Sequence, residues 1–336
     1  MTAQVDARCV RTHPTRPEAL TLVNSAGLVK WSQVAGNLRP VARAASESPI
    51  ITLSTPADSD VFAVATQAGT IELRRWDDLC LVAPPRLAPA TLDLEPGAAD
   101  MTAIALSSDQ AWLAIAREAD DVYLCDGRQG DLIAVAEGSD WTSTLAFSPN
   151  GQQLAIACSF PGGSYARVDA VAAGQLEPVY DFVRSNCETP PDQFVDVLTH
   201  LTFSPDARCL ALFETATTHH NQHSPGWRGN LALYSLETGQ LQWCVAQDAA
   251  TTGDRRSLPQ SGYEMGFYTE LSFLDPHTLA CGAPRGMLLL YDVTSGRLQR
   301  RLNLGRAAGV RSLARDSTGT LWIVLTDGEL LAIRPD

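Results

Sequence analysis

The chain has few of the features that would mark a catalyst, a membrane span or an exported disulfide scaffold. Its eight cysteines, Cys9, Cys80, Cys125, Cys158, Cys187, Cys209, Cys244 and Cys281, lie far apart, with no CxxC pair and no cluster at zinc-ligand spacing. Most sit in apolar runs such as LAIAC and LACG and read as small core hydrophobes kept reduced. No apolar run approaches the eighteen or so residues of a spanning helix, and MTAQVDARCV lacks the basic patch and apolar stretch of a signal peptide, so a cytoplasmic location is expected. Charge is sparse, at 19% of residues, and unbalanced: 25 Lys and Arg against 38 Asp and Glu, a net −13. A field of that sign repels phosphate backbones and anionic headgroups, so neither a nucleic-acid nor a membrane partner is expected.

Catalytic signatures are missing as well. There is no GxSxG elbow, no GxxxxGK[ST] loop and no HExxH. The carboxylate pairs Asp77-Asp78 and Asp120-Asp121 fall in hairpin turns or at strand ends, where solvated carboxylates are ordinary. The expectation is a non-enzyme with no cofactor and no small-molecule substrate. The 24 Gly and 20 Pro of 336 residues are too few for a collagen-like or disordered chain, and a 45% hydrophobic content is ample for a large core.

What the sequence does contain is a repeat. An apolar strand, a turn rich in Ser, Pro, Asp or Gly, a second apolar strand, a Gly or Asp turn and a third strand recur seven times, starting near Arg11, Ile51, Ile104, Leu145, Leu201, Leu271 and Ser312. The first turn carries Asp58, Asp109, Asn150, Asp206, Asp275 or Asp316 in six copies, side chains that bond their own backbone and so form turns rather than catalyse. Gly27, Gly69, Gly229, Gly286 or Gly328 precedes the third strand. Gly36, Gly130, Gly174, Gly239 or Gly296 leads into a fourth, such as QLQWCV. Second strands such as FAVAT, WLAIA and WIVL are apolar on both faces and need a sheet on either side. Four-stranded antiparallel sheets that cannot bury both faces alone must stack around an axis. The fold class expected is all-β, one seven-bladed β-propeller over residues 1–336, at about 48 residues per blade. Phe147, Phe203 and Phe273 recur at one place and are expected between neighbouring blades. The last copy stops at its third strand, and residues near Gln4 to Val10 are expected to supply the fourth.

These residues resemble the WD-repeat propeller family. FSPNG at Phe147–Gly151 and FSPDA at Phe203–Ala207 are similar to its first hairpin, and Trp76-Asp77, Cys125-Asp126 and Tyr291-Asp292 to the dipeptide that closes its third strand. No Gly-His dipeptide precedes any blade, so the hydrogen-bonded tetrad of that family is not expected. One unit, NLALYSLETGQLQW at Asn230–Trp243, resembles a quinoprotein repeat through Thr238, Gly239 and Trp243.

Four connections are long. Pro84–Asp100, Arg184–Asp196, Glu214–Arg228 and Asp248–Phe267 run about 13 to 20 residues, against a usual four to six. Strand order places all four on the face that holds the second-to-third turns and the blade-to-blade crossings, while the opposite face is expected to carry only short turns. That segregation marks a recognition surface for a partner protein within a complex, with Trp227, Arg255, Arg256, Tyr263, Phe267 and Tyr268 as candidate contacts. His219, His220 and His223 have a transition-metal spacing but lack a fourth ligand, so no metal is assigned to them. The alternative is a small-ligand sensor or enzyme using the central funnel, which would require a polar or charged cluster at the axis.

Overall fold

Alternating and doubly apolar segments become strands throughout the computed structural model, which describes residues 2–5, 7–87, 101–117, 120–139, 141–160, 163–172, 174–183, 197–215, 229–247 and 270–335. After the short β1 (Thr2–Gln4), blade 1 comprises β2 (Ala7–Thr12), β3 (Glu18–Val23), β4 (Gly27–Val34) and β5 (Asn37–Ala45). Blade 2 is β6 (Ile50–Ser54), β7 (Val61–Thr66), β8 (Thr70–Arg75) and β9 (Arg86–Leu87). Blade 3 is β10 (Met101–Leu106), β11 (Trp112–Arg117), β12 (Asp120–Asp126) and β13 (Leu132–Ser139). Blade 4 is β14 (Trp141–Phe147), β15 (Gln153–Phe160), β16 (Gly163–Ala172) and β17 (Gln175–Val183). Blade 5 is β18 (Val197–Phe203), β19 (Cys209–Thr215), β20 (Gly229–Ser235) and β21 (Leu241–Gln247). Blade 6 is β22 (Leu271–Asp275), β23 (Thr278–Ala283), β24 (Met287–Asp292) and β25 (Leu298–Asn303). Blade 7 is β26 (Val310–Arg315), β27 (Leu321–Leu325) and β28 (Glu329–Ile333), with β1 as its outer strand. Every sheet is four-stranded and antiparallel, and together they form a seven-bladed β-propeller.

Burial is greatest in the middle strands of the blades and least at the rim. All five residues of β27 are buried and so are five of six in β7, whereas the outer strands β5 and β25 have no fully buried residue. The core is a circle of seven apolar clusters, one at each junction between blades. Leu20 and Leu28 of blade 1 meet Phe62 and Val64 of blade 2, and the series continues until Trp322 and Val324 of blade 7 meet Val10 and Trp31 of blade 1. Each fully buried Leu, Ile or Phe contributes about 1.5–3 kcal/mol, and no blade could collect that alone. Phe147, Phe203 and Phe273 pack into the clusters between blades 3 and 4, 4 and 5, and 5 and 6, as their recurrence implied. Trp76, Cys125 and Tyr291, which end third strands, are buried in the same way.

Turn chemistry sets the hairpins. Ser107, Ser148 and Ser204 each donate to an Asx side chain two residues on, Asp109, Asn150 and Asp206, at 2.6–2.7 Å. Those side chains in turn accept from the backbone N–H groups of Ala111, Gln152 and Arg208. The Ser107 hydrogen bond holds the Asp109 carboxyl below the usual range. The TG-x-x-x-W ending has a physical reason too. Gly239 adopts a φ of +69° where a Cβ would lie 2.5 Å from the Tyr180 ring of the preceding blade, and Trp243 reaches forward to donate its indole N–H to the Val293 carbonyl of the next at 2.7 Å. Gly296 repeats this arrangement beneath Trp243 itself.

Three expectations are corrected. The closing strand is Thr2–Gln4, paired with Glu329–Leu331, and not Gln4–Val10: Ala7–Thr12 is needed as the innermost strand of blade 1, because Val10 is buried against blade 7. Pro84–Asp100 is not one connection, since Arg86 and Leu87 pair with Ile71 and Thr70 as the outer strand of blade 2. The turns of the opposite face are therefore not all short, as β8 and β9 are joined by the ten residues Trp76–Pro85. That turn is held by polar contacts in place of a tight hairpin: Asp78 accepts from Arg75 and Cys80, and Lys30 donates to the Asp77 carbonyl. His13 of blade 1 also bonds Asp60 of blade 2 at 2.7 Å and packs edge-on against Trp76, a polar clasp between two blades that the missing Gly-His dipeptide did not foretell.

Candidate functional site

The innermost strands line an axial channel of about 660 Å3. Their register shares one irregularity. In six of the seven, β2, β6, β10, β14, β18 and β26, a bulge lies one or two residues into the strand, leaving Arg8, Ile51, Thr102, Ser143, Thr199 and Arg311 without a partner on the second strand. A bulge twists the strand locally and re-aims its side chains. The bulges stand where the innermost strands begin, so they surround the mouth of the channel on the face of the blade-to-blade crossings.

Just inside the mouth is a charged cluster. Arg11 Nη1 donates to both carboxylate oxygens of Glu270, at 2.8 and 3.1 Å, and Glu270 Oε2 also accepts from Ser312 Oγ at 2.6 Å and from the Leu313 N–H at 3.1 Å. Ser312 Oγ accepts from the Val10 N–H at 3.0 Å. One carboxylate thus ties blade 6 to blades 7 and 1, across the seam where the ring closes. The side chains of Arg11 and Glu270 are 27% and 14% exposed, and what they expose faces the channel. Burial alone would raise the Glu270 carboxyl, but Arg11, His200 and the Ser312 hydroxyl hold it below its ordinary range. His200 lines the same level; burial pulls its imidazole down to about 4 against the pull of Glu270, with Arg11 adding to the fall, so it is neutral at pH 7. Burial pushes the Cys9 thiol up, and it is protonated at neutral pH.

The lone pairs of Glu270 are therefore committed to hydrogen bonds and the thiol carries its proton, while Arg8 and Arg311 lack a carboxylate partner among the described residues. Around the channel, four described arginines, Arg8, Arg11, Arg311 and Arg315, face a single acid, Glu270. The sign is opposite to the −13 of the whole chain. Arg315 is engaged near the far end, donating to the Leu274 carbonyl.

Trp227, Arg255, Arg256, Tyr263, Phe267 and Tyr268 lie outside the described residues, as do His219, His220 and His223. The strands that flank their segments are described. Residues 88–100, 184–196 and 248–269 follow outer strands and precede innermost ones, and 216–228 joins the second and third strands of blade 5, so all four leave and rejoin the ring on the face of the channel mouth. Seven cysteines are described and none is in a disulfide; Cys125, pushed up to about 12 by burial, and the fully buried Cys158 and Cys281 are core residues, whereas Cys80 is exposed. No three His, Cys, Asp or Glu side chains converge on a metal position among the described residues, and those residues contain no helix long and apolar enough to cross a membrane.

No family model matches the sequence, and no curated protein matches it. The chain is a seven-bladed β-propeller. The sequence did not reveal the axial cluster, although one signal was present: Arg8 and Arg311 stand at the same register, two residues before the buried aliphatic Val10 and Leu313.

Proposed function

We propose that this propeller is a non-catalytic scaffold that captures a partner protein through the face bearing its long connections, within a complex in the cytoplasm. One observation carries the reading: all four connections of more than ten residues, three between successive sheets and one between the second and third strands of blade 5, are anchored on one face. Insertions without a role would be distributed over both. The rigid ring would hold several recognition segments in fixed relation and so lower the ordering cost of association. The chemistry of the channel agrees with a binding role, since its one carboxylate among the described residues is engaged in hydrogen bonds and no activated nucleophile adjoins it among those residues. The net −13 disfavours nucleic acid and anionic membranes as partners.

The test is affinity capture from native cells with the tagged chain, compared with a triple variant carrying Trp227→Ala, Arg255→Ala and Arg256→Ala. The expected result is one or a few stoichiometric partners lost from the variant, with its melting temperature unchanged. Unaltered capture by the variant would reject this face as the docking surface.

A further inference from the structure

We propose that the channel mouth is a binding site for a small oxyanion, a phosphorylated or polycarboxylate molecule held between Arg8 and Arg311. The two arginines occupy the same bulge position on adjacent blades, 7 and 1, the only pair of neighbouring blades with a cation at that position among the six bulged strands. Both line the channel and neither meets a carboxylate among the described residues, while Arg11, deeper in, is already neutralised by Glu270. Two guanidinium groups that share an opening offer forked donors suited to phosphate or carboxylate oxygens. Serine and threonine hydroxyls of the inner strands, Thr52, Thr144 and Ser272 among them, line the wall and can accept or donate to the rest of such a ligand.

Size and field select the ligand class. A channel of about 660 Å3 lies within the roughly 300–1,000 Å3 of small-molecule sites. The surrounding protein carries a net −13, so an extended polyanion is repelled before it reaches the arginines, whereas a compact anion that enters the mouth feels chiefly the local excess of positive charge. This site is independent of the partner-binding reading above: it uses side chains of the inner strands rather than the long connections.

The experiment measures melting temperature and calorimetric binding for the full chain with sodium phosphate or sodium citrate, each against sodium chloride at equal ionic strength. The expected result is saturable binding of one or both, with a melting temperature that climbs with the logarithm of concentration. Phosphate alone would assign a phosphoryl ligand, citrate alone a polycarboxylate. In a variant with Arg8→Gln and Arg311→Gln, affinity should fall at least tenfold. In a control with Arg39→Gln and Arg43→Gln, on the exposed outer strand of blade 1, it should not change. The proposal is overturned if neither salt exceeds chloride, if both double variants lose binding equally, or if a tetraglutamate peptide binds while phosphate and citrate do not, which would make the mouth a protein-docking feature.

Discussion

Replacing Glu270 tests whether the ring is held at its seam by a polar staple as well as by apolar burial. The carboxylate accepts from Arg11, Ser312 and the Leu313 backbone, and so joins blades 6, 7 and 1. In Glu270→Gln the geometry survives but the charge does not: one amide oxygen must serve three donors, and an NH2 group faces the Arg11 guanidinium. Breaking a fully buried pair costs about 3–5 kcal/mol because one charge is left uncompensated. Here the partners are 27% and 14% exposed to the channel, where water screens the orphaned arginine, so a loss of about 2–3 kcal/mol is expected. With an unfolding entropy near 2.1 cal/mol/K per residue, that is a fall of roughly 3–4 °C in melting temperature for a chain of this length. Scanning calorimetry at pH 7.5 measures it directly. Replacing both partners, Arg11→Met with Glu270→Leu, should recover part of the loss, since no unpaired charge then remains. A Gln variant that melts within 0.5 °C of the parent, or a double variant less stable than the sum of the two single ones, would show that the staple adds nothing to ring closure.

Two further predictions concern acid and the outer turns. His200 is held at about 4 in the folded state, below the 6.5 of an unperturbed imidazole, so between those values the unfolded chain binds a proton that the native one does not. Stability should therefore fall as pH drops from about 6.5 toward 4, and the depressed Glu270 carboxyl adds a further loss below about 4.5. The melting-temperature difference between pH 7 and pH 5 should shrink in His200→Gln; an identical difference would remove His200 from the explanation. Gly296→Ala combines a φ of +67° with a Cβ 2.7 Å from the Trp243 ring, so it should cost about 1–3 kcal/mol in urea unfolding and perturb tryptophan fluorescence, whereas Gly305→Ala, at the same φ with nothing within 4 Å, should cost about 1 kcal/mol and leave the fluorescence alone.

Much of this architecture could be read from one dimension because it is built from local rules repeated. The Ser-x-Asx turns, the hairpin glycines and the doubly apolar second strands each state their structure within a window of about ten residues. Seven repetitions then leave stacking around an axis as the way to bury both faces of every sheet. The side of the ring on which residues 184–196, 216–228 and 248–269 emerge was legible for the same reason, as strand parity determines it.

What could not be read depends on neighbours brought together only when the circle closes. Blade 7 required a strand from the far end of the chain. Whether Gln4–Val10 or Thr2–Gln4 supplied it turned on the demand of blade 1 for Ala7–Thr12, a competition between segments more than 300 residues apart in sequence. Arg86 and Leu87 form a strand because Thr70 and Ile71 offer an edge, not because two residues carry a β signal. Arg8, Arg11, His200, Glu270 and Arg311 are scattered over three hundred positions with no spacing that suggests a site, and they meet because each lies on an innermost strand or immediately before one. Local sequence determined the blades and their turns, since hydrogen bonds within hairpins and alternation of side chains are short-range. The composition of the channel was decided by closure of the ring, because only there do charges distant in the chain come within reach of one another.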